Sequence, residues 1–124
     1  MRICIVGSRS IDKAEVVFPL IDKFIREHTT APRTVLSGGA KGVDSLVKEW
    51  TKVQGYDFIE FQPIHMLDRN IEFNSKYFFV RNRQLIDNSD IVLAIWDGQS
   101  TGTKHSITYA QKKGVPVMVV KTGN

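Results

Sequence analysis

Short apolar runs rich in β-branched residues alternate with longer amphipathic stretches along the whole chain, and this alternation limits the fold more than any other feature. Arg2–Val6 reads as a first strand, closed by Gly7-Ser8-Arg9-Ser10. The stretch from Asp12 to Glu27 reads as a helix, because Val17, Leu20, Ile21, Phe24 and Ile25 recur at three- and four-residue steps. Ser10 or Asp12 is the expected N-cap. Thr34–Ser37 is a second strand, followed by a glycine turn and a helix from Val43 to Gln54 that buries Val43, Leu46, Val47 and Trp50 and stops at Gly55. Phe58–Phe61 is a third strand, while Ile64–Phe73 carries no assignable period. A helix from Asn74 to Asn88, a strand from Asp90 to Trp96, a helix from Thr103 to Lys113 stopped by Gly114, and a strand from Val115 to Val120 complete the pattern. Strands alternating with helices at this spacing are βαβ units, hence a parallel sheet covered on both faces. Right-handed crossovers favour a five-stranded, Rossmann-like α/β sheet of order 3-2-1-4-5, in a single domain spanning residues 1–124.

With 124 residues, the chain buries enough surface to need no disulfide or metal staple. Its 42% hydrophobic and 24% charged content excludes a disordered, fibrous or disulfide-rich chain. The longest apolar run, Ile91–Trp96, is too short to span a bilayer, and the one after Met1 is too short for a secretory signal. Together with the single Cys4, expected as a small buried residue, this fits a cytoplasmic protein. The net charge of +4 suits an anionic partner, but the basic residues are dispersed rather than massed in a nucleic-acid track.

In sheets of this kind, ligands bind beyond the C-terminal strand ends, near the point where strand order reverses. The turns there are Gly7-Ser8-Arg9, Ser37-Gly38-Gly39-Ala40-Lys41-Gly42-Val43-Asp44, and Asp97-Gly98-Gln99-Ser100-Thr101-Gly102-Thr103. All are rich in glycine and hydroxyl residues, and all open a helix. Glycine admits an anion close to the backbone, and a helix N-terminus offers free N–H donors. A phosphate or nucleotide pocket is therefore expected. The pattern is neither Gly-x-Gly-x-x-Gly nor a Walker loop, which disfavours ordinary dinucleotide and triphosphate modes. His28, His65 and His105 lack metal-ligand spacing, so no metal and no cofactor is expected; His105 lies beside the last of these turns.

The set Ile5-Val6-Gly7-Ser8-Arg9, Ser37 to Asp44, Arg81-Asn82, and Asp97-Gly98 with Gly102-Thr103 resembles the SLOG superfamily, most closely its small single-domain YspA-like, YpsA-related branch. The resemblance covers residues 2 to about 120. It implies a Rossmann-like sheet with a pocket for nucleotides, nucleotide-derived signals or nucleic acid. The LOG phosphoribohydrolase branch implies a helix arginine, matched by Arg81, and a Pro-Gly-Gly-x-Gly-Thr-x-x-Glu motif. That motif is altered here: Trp96-Asp97-Gly98 replaces its start, and its glutamate position falls on Ser106. N-glycosidic cleavage needs a carboxylate, for which only Asp97 or Asp44 could substitute. Asp44 also has a plainer role beside the N-terminal dipole of its helix. The DprA Rossmann domain is similar over the first two turns and implies contacts to single-stranded DNA phosphates from Arg9 and Lys41. Trp96 is the expected cover for a base, and Tyr77, Phe78 and Phe79 are expected in the core.

The combined expectation is a small nucleotide-like ligand, bound without turnover by a sensor or sequestering protein. Arg9, Lys41 and Arg81 would neutralise charge; Ser8, Ser37, Asn82, Asp97, Ser100 and Thr103 would supply hydrogen bonds; and Gly7, Gly38, Gly39, Ala40, Gly42, Gly98 and Gly102 would supply backbone. A nucleotide N-glycosidase and a single-strand binder are the alternatives. No membrane partner is expected, and a homo-oligomer is compatible with the sequence.

Overall fold

The computed structural model describes residues 1–29 and 34–122. The order of elements is β1 (Arg2–Gly7), α1 (Ala14–His28), β2 (Thr34–Gly38), α2 (Val43–Gln54), β3 (Asp57–Phe61), α3 (Ile64–Leu67), α4 (Lys76–Asp87), β4 (Ile91–Trp96), α5 (Thr101–Lys113) and β5 (Val117–Lys121). The strands form one parallel sheet in the order β3-β2-β1-β4-β5, as the alternating pattern predicts.

Successive strand residues face opposite sides, so each central strand feeds two cores. Ile3 and Ile5 of β1, with Leu93 and Ile95 of β4, pack against Val17, Ile21 and Phe24 of α1 and Val43, Val47 and Trp50 of α2. Cys4 and Val6, with Val92 and Ala94, pack against Leu85 and Ile86 of α4 and Ile107 and Ala110 of α5. Burial pushes the Cys4 thiol up to about 12, in keeping with an inert core residue. On the first face, Trp50 Nε1 donates to Asp22 Oδ1 at 2.9 Å and its ring stacks on Tyr56, tying α2 to α1 and to the entry of β3.

Several boundaries differ from the sequence expectation. Neither Ser10 nor Asp12 caps α1; Lys13 stands at the N-cap without a side-chain bond, because Ser10 Oγ donates instead to Asp97 Oδ2 across the strand ends. Helix α4 begins at Lys76, whose N–H is taken by Asn74 Oδ1 in a local turn. Helix α5 begins at Thr101, and β5 begins at Val117 once Pro116, which has no N–H, has passed. One turn of helix, α3, occupies the start of the unassigned segment. No helix among the described residues is long and apolar enough to cross a membrane.

Candidate functional site

The ends of β2, β1 and β4 lie side by side, which brings together the turns that follow them. Gly7 pairs with Ile95 in the sheet register, and Ser8 N donates to Ile95 O at 3.0 Å. The buried Ser8 hydroxyl lies 2.9 Å from Ser100 Oγ and accepts from Asp97 N at 3.0 Å. Ser8 thus joins the β1 and β4 turns from beneath. Gly42 joins the remaining turn to them: at φ +76°, a Cβ there would stand 2.5 Å from Arg9 O and 2.6 Å from Ser8 O. Only glycine permits both that conformation and that approach.

Asp97 is spent on this framework. Oδ1 accepts from Gln99 N and Ser100 N, both at 2.8 Å, and Oδ2 accepts from Ser10 Oγ at 2.7 Å. The Ser10 bond, followed by the backbone donors, holds its carboxyl down to about 2. It is a fixed anion at the cavity edge, poorly suited to proton transfer at neutral pH.

A cavity of about 500 Å³ opens over these ends. Gly7 and Arg9 line it from β1 and its turn, and Ala40 and Asp44 line it from the β2 turn and α2. Arg81 and Asn82 of α4 form a further wall, joined by Asp97, Ser100, Gly102 and Thr103 from the β4 turn and the start of α5. Ser8, Ser37, Gly38, Gly39, Lys41, Gly42 and Gly98 fall outside this lining. Ser37 Oγ donates to Ile5 O at 2.6 Å and so serves the sheet. Lys41 is exposed, and Gly39 sits against Glu60, whose Oε2 lies 3.1 Å from a Gly39 Cβ position.

Asp44 and Arg81 are the buried charged residues of this lining. Asp44 is 6% exposed, and its Oδ1 has no hydrogen-bond partner among the described residues. Its Oδ2 accepts a long bond of 3.4 Å from Ala40 N. Burial pushes this carboxyl up to about 7, against the opposing pull of the Arg81 guanidinium. Arg81 is itself buried, which lowers its pKa; its Nε donates to Asn82 Oδ1 at 2.9 Å and its Nη1 to Phe61 O at 3.4 Å. Asn82 Nδ2 reaches Gly102 O at 3.4 Å, linking α4 to the first turn of α5. The plainer role of Asp44, a partner of the helix dipole, leaves its unpaired buried oxygen unexplained.

Phe78 lines the cavity rather than filling the core, with the guanidinium carbons of Arg9 and Arg81 at 5.7 and 5.8 Å from its ring centre. The signal for it was present in the sequence: Ser75, Phe78, Asn82 and Leu85 follow one another at three- and four-residue steps, so they share a face of α4. Trp96 does not cover the cavity. Its Nε1 donates to Ser100 O at 3.0 Å, and its ring packs on the second core. Ser106 lines the cavity and donates to Gly102 O at 3.3 Å. Phe79, also expected in the core, lines the cavity beside Phe78; His105 packs against Phe79 from outside the lining, and burial lowers its pKa.

A parallel sheet with a cavity over its central strand ends, where the order reverses at β1, defines a Rossmann-like α/β protein. The chain belongs to the YspA, cpYpsA-related SLOG family, which it matches over residues 1–65. It is 31% identical over 120 residues to the gene 61 protein of Mycobacterium phage D29, covering 94% of each chain. Among solved structures it is similar in fold to DNA processing protein A from Helicobacter pylori, a protein described by its single-stranded DNA binding mode. That match has a TM-score of 0.73 at 21% identity and covers 98% of this chain but 66% of the other. The structural-genomics target TM1055 matches with a TM-score of 0.65 at 22% identity, covering 94% of this chain and 71% of the other.

Proposed function

We propose that this protein binds a nucleotide or nucleotide-derived signalling ligand in the cavity over β1, β2 and β4, and holds it without turnover as a sensor or sequestering protein. The observation that carries this reading is the buried Asp44, with an unpaired oxygen, beside the Arg81 guanidinium in a cavity bordered by the N-terminus of α5. Such a site offers an acceptor, a cation and free backbone donors within one small volume. SLOG family membership supports the same class of ligand. The absence of turnover rests on Ser106, which stands where the resembling hydrolases carry glutamate and has no acidity at neutral pH. Denaturing the purified protein and identifying the released small molecules by mass spectrometry tests the ligand class. Incubation with nucleoside monophosphates tests turnover, and free base should not appear.

One observation favours a nucleotide N-glycosidase as the second reading: Asp44 titrates near neutrality inside the cavity, as an acid–base group does. Base release that is lost in Asp44→Asn would establish it. Single-strand binding, the property described for the Helicobacter pylori protein, has less support, because Arg9 and Arg81 are the only cations among the described residues that line the cavity. Lys48 pairs with Glu60 at 3.6 Å, and Lys112 and Lys113 lie in the last turn of α5. Log affinity for an oligonucleotide should therefore vary only shallowly with log salt, against a slope of about −0.7 per phosphate contacted by a true single-strand binder.

A further inference from the structure

Asp44 is a carboxyl buried in the cavity wall with no cation in contact. Among the described residues no ion pair within 4.0 Å joins it to Arg81, and Oδ2 receives only the 3.4 Å bond from Ala40 N. Arg81 turns its Nε to Asn82 Oδ1 and its Nη1 to Phe61 O instead. A buried carboxylate so poorly compensated holds its charge weakly, and a proton is its readiest partner. The donors of the cavity are the Arg81 and Arg9 guanidiniums and the first turn of α5 at Thr101 to Thr103, all suited to an anion. An anion seated on them shares one cavity of about 500 Å³ with Asp44. Two negative charges in one small site raise each other's energy, and the one with fewer donors takes a proton. A phosphate on Arg81 and the helix end has those donors; Asp44 does not.

Resting on the nucleotide reading above, we infer that the cavity takes up one proton with each anionic ligand: Asp44 is protonated as the phosphate settles on Arg81 and the first turn of α5, and its O–H donates to a phosphate oxygen. The proton comes from solvent. Carboxylate, proton and anion give carboxylic acid and bound anion, with no bond in the ligand made or broken. Asp44 Oδ1, which has no partner among the described residues, thereby gains a charge-assisted bond to the ligand. The consequence is regulatory: the ligand is held more tightly as pH falls through neutrality and is released as it rises. The groups around Asp44 are Arg81 on α4, Arg9 after β1, Cys4 within β1, Asp97 at the cavity edge, and Glu60 of β3, which acts on Arg81. Cys4 is held at about 12, Asp97 at about 2, and Arg81 keeps its proton. His65 and His105 lie behind Phe78 and Phe79, outside the lining.

The test is calorimetric titration of the intact protein with AMP, GMP, CMP and UMP, run in two buffers of different ionisation enthalpy so that the difference in heat counts the protons exchanged. With the Asp44 carboxyl at about 7 before binding, uptake at pH 8 should approach about one proton per nucleotide. Affinity should fall by up to about tenfold for each pH unit above neutrality. Asp44→Asn keeps a donor and never ionises. It should bind about as the wild type does at pH 6, about tenfold tighter than the wild type at pH 8, and without the uptake. The phosphate's own second ionisation, at about 6, is common to both proteins, as are the histidines. The wild-type count at pH 8 needs no variant, so a misfolded Asp44→Asn leaves the decision intact. Nucleotide binding without proton uptake at pH 8 overturns the inference while leaving the nucleotide reading standing. Uptake that persists in Asp44→Asn overturns the assignment to Asp44, and weaker binding by that variant at both pH values shows the ionised carboxylate to be an acceptor, which overturns it too. Binding of none of these probes overturns both readings.

Discussion

Asp44 and Arg81 face each other across Gly38 without touching: Oδ2 and Nη1 lie 2.8 and 2.7 Å from where a Gly38 Cβ would stand, yet the two form no ion pair within 4.0 Å. They arrive from opposite faces of the sheet, Asp44 on α2 from one core and Arg81 on α4 from the other. Each is buried, and neither fully satisfies the other. Groups left in this condition lower stability unless something else uses them, which is the mark of a functional position.

Gly38→Ala should cost about tenfold or more in nucleotide affinity, because its methyl group occupies the gap between Asp44 and Arg81. The guanidinium end can shift, so the fold should survive with a loss of about 1–3 kcal/mol in chemical denaturation. Gly39→Ala, which meets only the Glu60 side chain, should bind as the wild type does. Calorimetry on the two variants checks the contrast.

Arg81→Ala should weaken phosphate-bearing ligands by about ten- to a hundredfold, the worth of a charge-assisted hydrogen bond. Removing this cation should also push Asp44 further up, since Arg81 is the main influence holding it down. Titration of the Asp44 carboxyl carbon by NMR in both proteins reads the second effect directly.

Stability should depend on pH through Asp44. Its folded pKa, about 7, lies above the ordinary 3.8, so the native state holds this proton more tightly than the unfolded chain. The resulting stabilisation is complete below about pH 3.8 and is lost as pH rises to about 7. Asp44→Asn, which never ionises, should therefore gain on the wild type across that window, by roughly 2–4 kcal/mol at its upper end. Urea denaturation of both proteins at pH 5 and pH 8 measures the difference, and a constant difference would contradict it. Cys4, which also faces Asp44, is held at about 12 and does not titrate in this window, and Arg81 is a guanidinium that keeps its proton there.

Gly42→Ala should destabilise by at least about 2–3 kcal/mol, combining a disfavoured backbone with a clash against the carbonyls of Ser8 and Arg9. The Ser8 carbonyl is held in place, because Ser8 O accepts from Ile11 N and Val43 N. A loss no larger than that of an ordinary exposed Gly→Ala change would show that the turns are not fastened to each other there. Thermal unfolding is sufficient to decide.

The alternation of β-branched runs with amphipathic stretches determined the parallel sheet and its order, since hydrophobic period and crossover handedness are properties of the chain itself. Glycine spacing likewise marked the turns at which a cavity forms. The fate of each polar side chain was decided only by tertiary structure. Ser10 and Asp97 are 87 residues apart and bond to each other, which removes the expected cap from α1. Trp96 turns to Ser100 and the second core, leaving Phe78 to line the cavity. Lys41, in the most glycine-rich turn, points outward, and Asp44, three residues on, is sealed inside. Local sequence does not encode that difference. It arises because α2 and α4, packed on opposite faces of the sheet, both contact β2, where burial raises the energy of a charge by an amount set by neighbours distant in the chain.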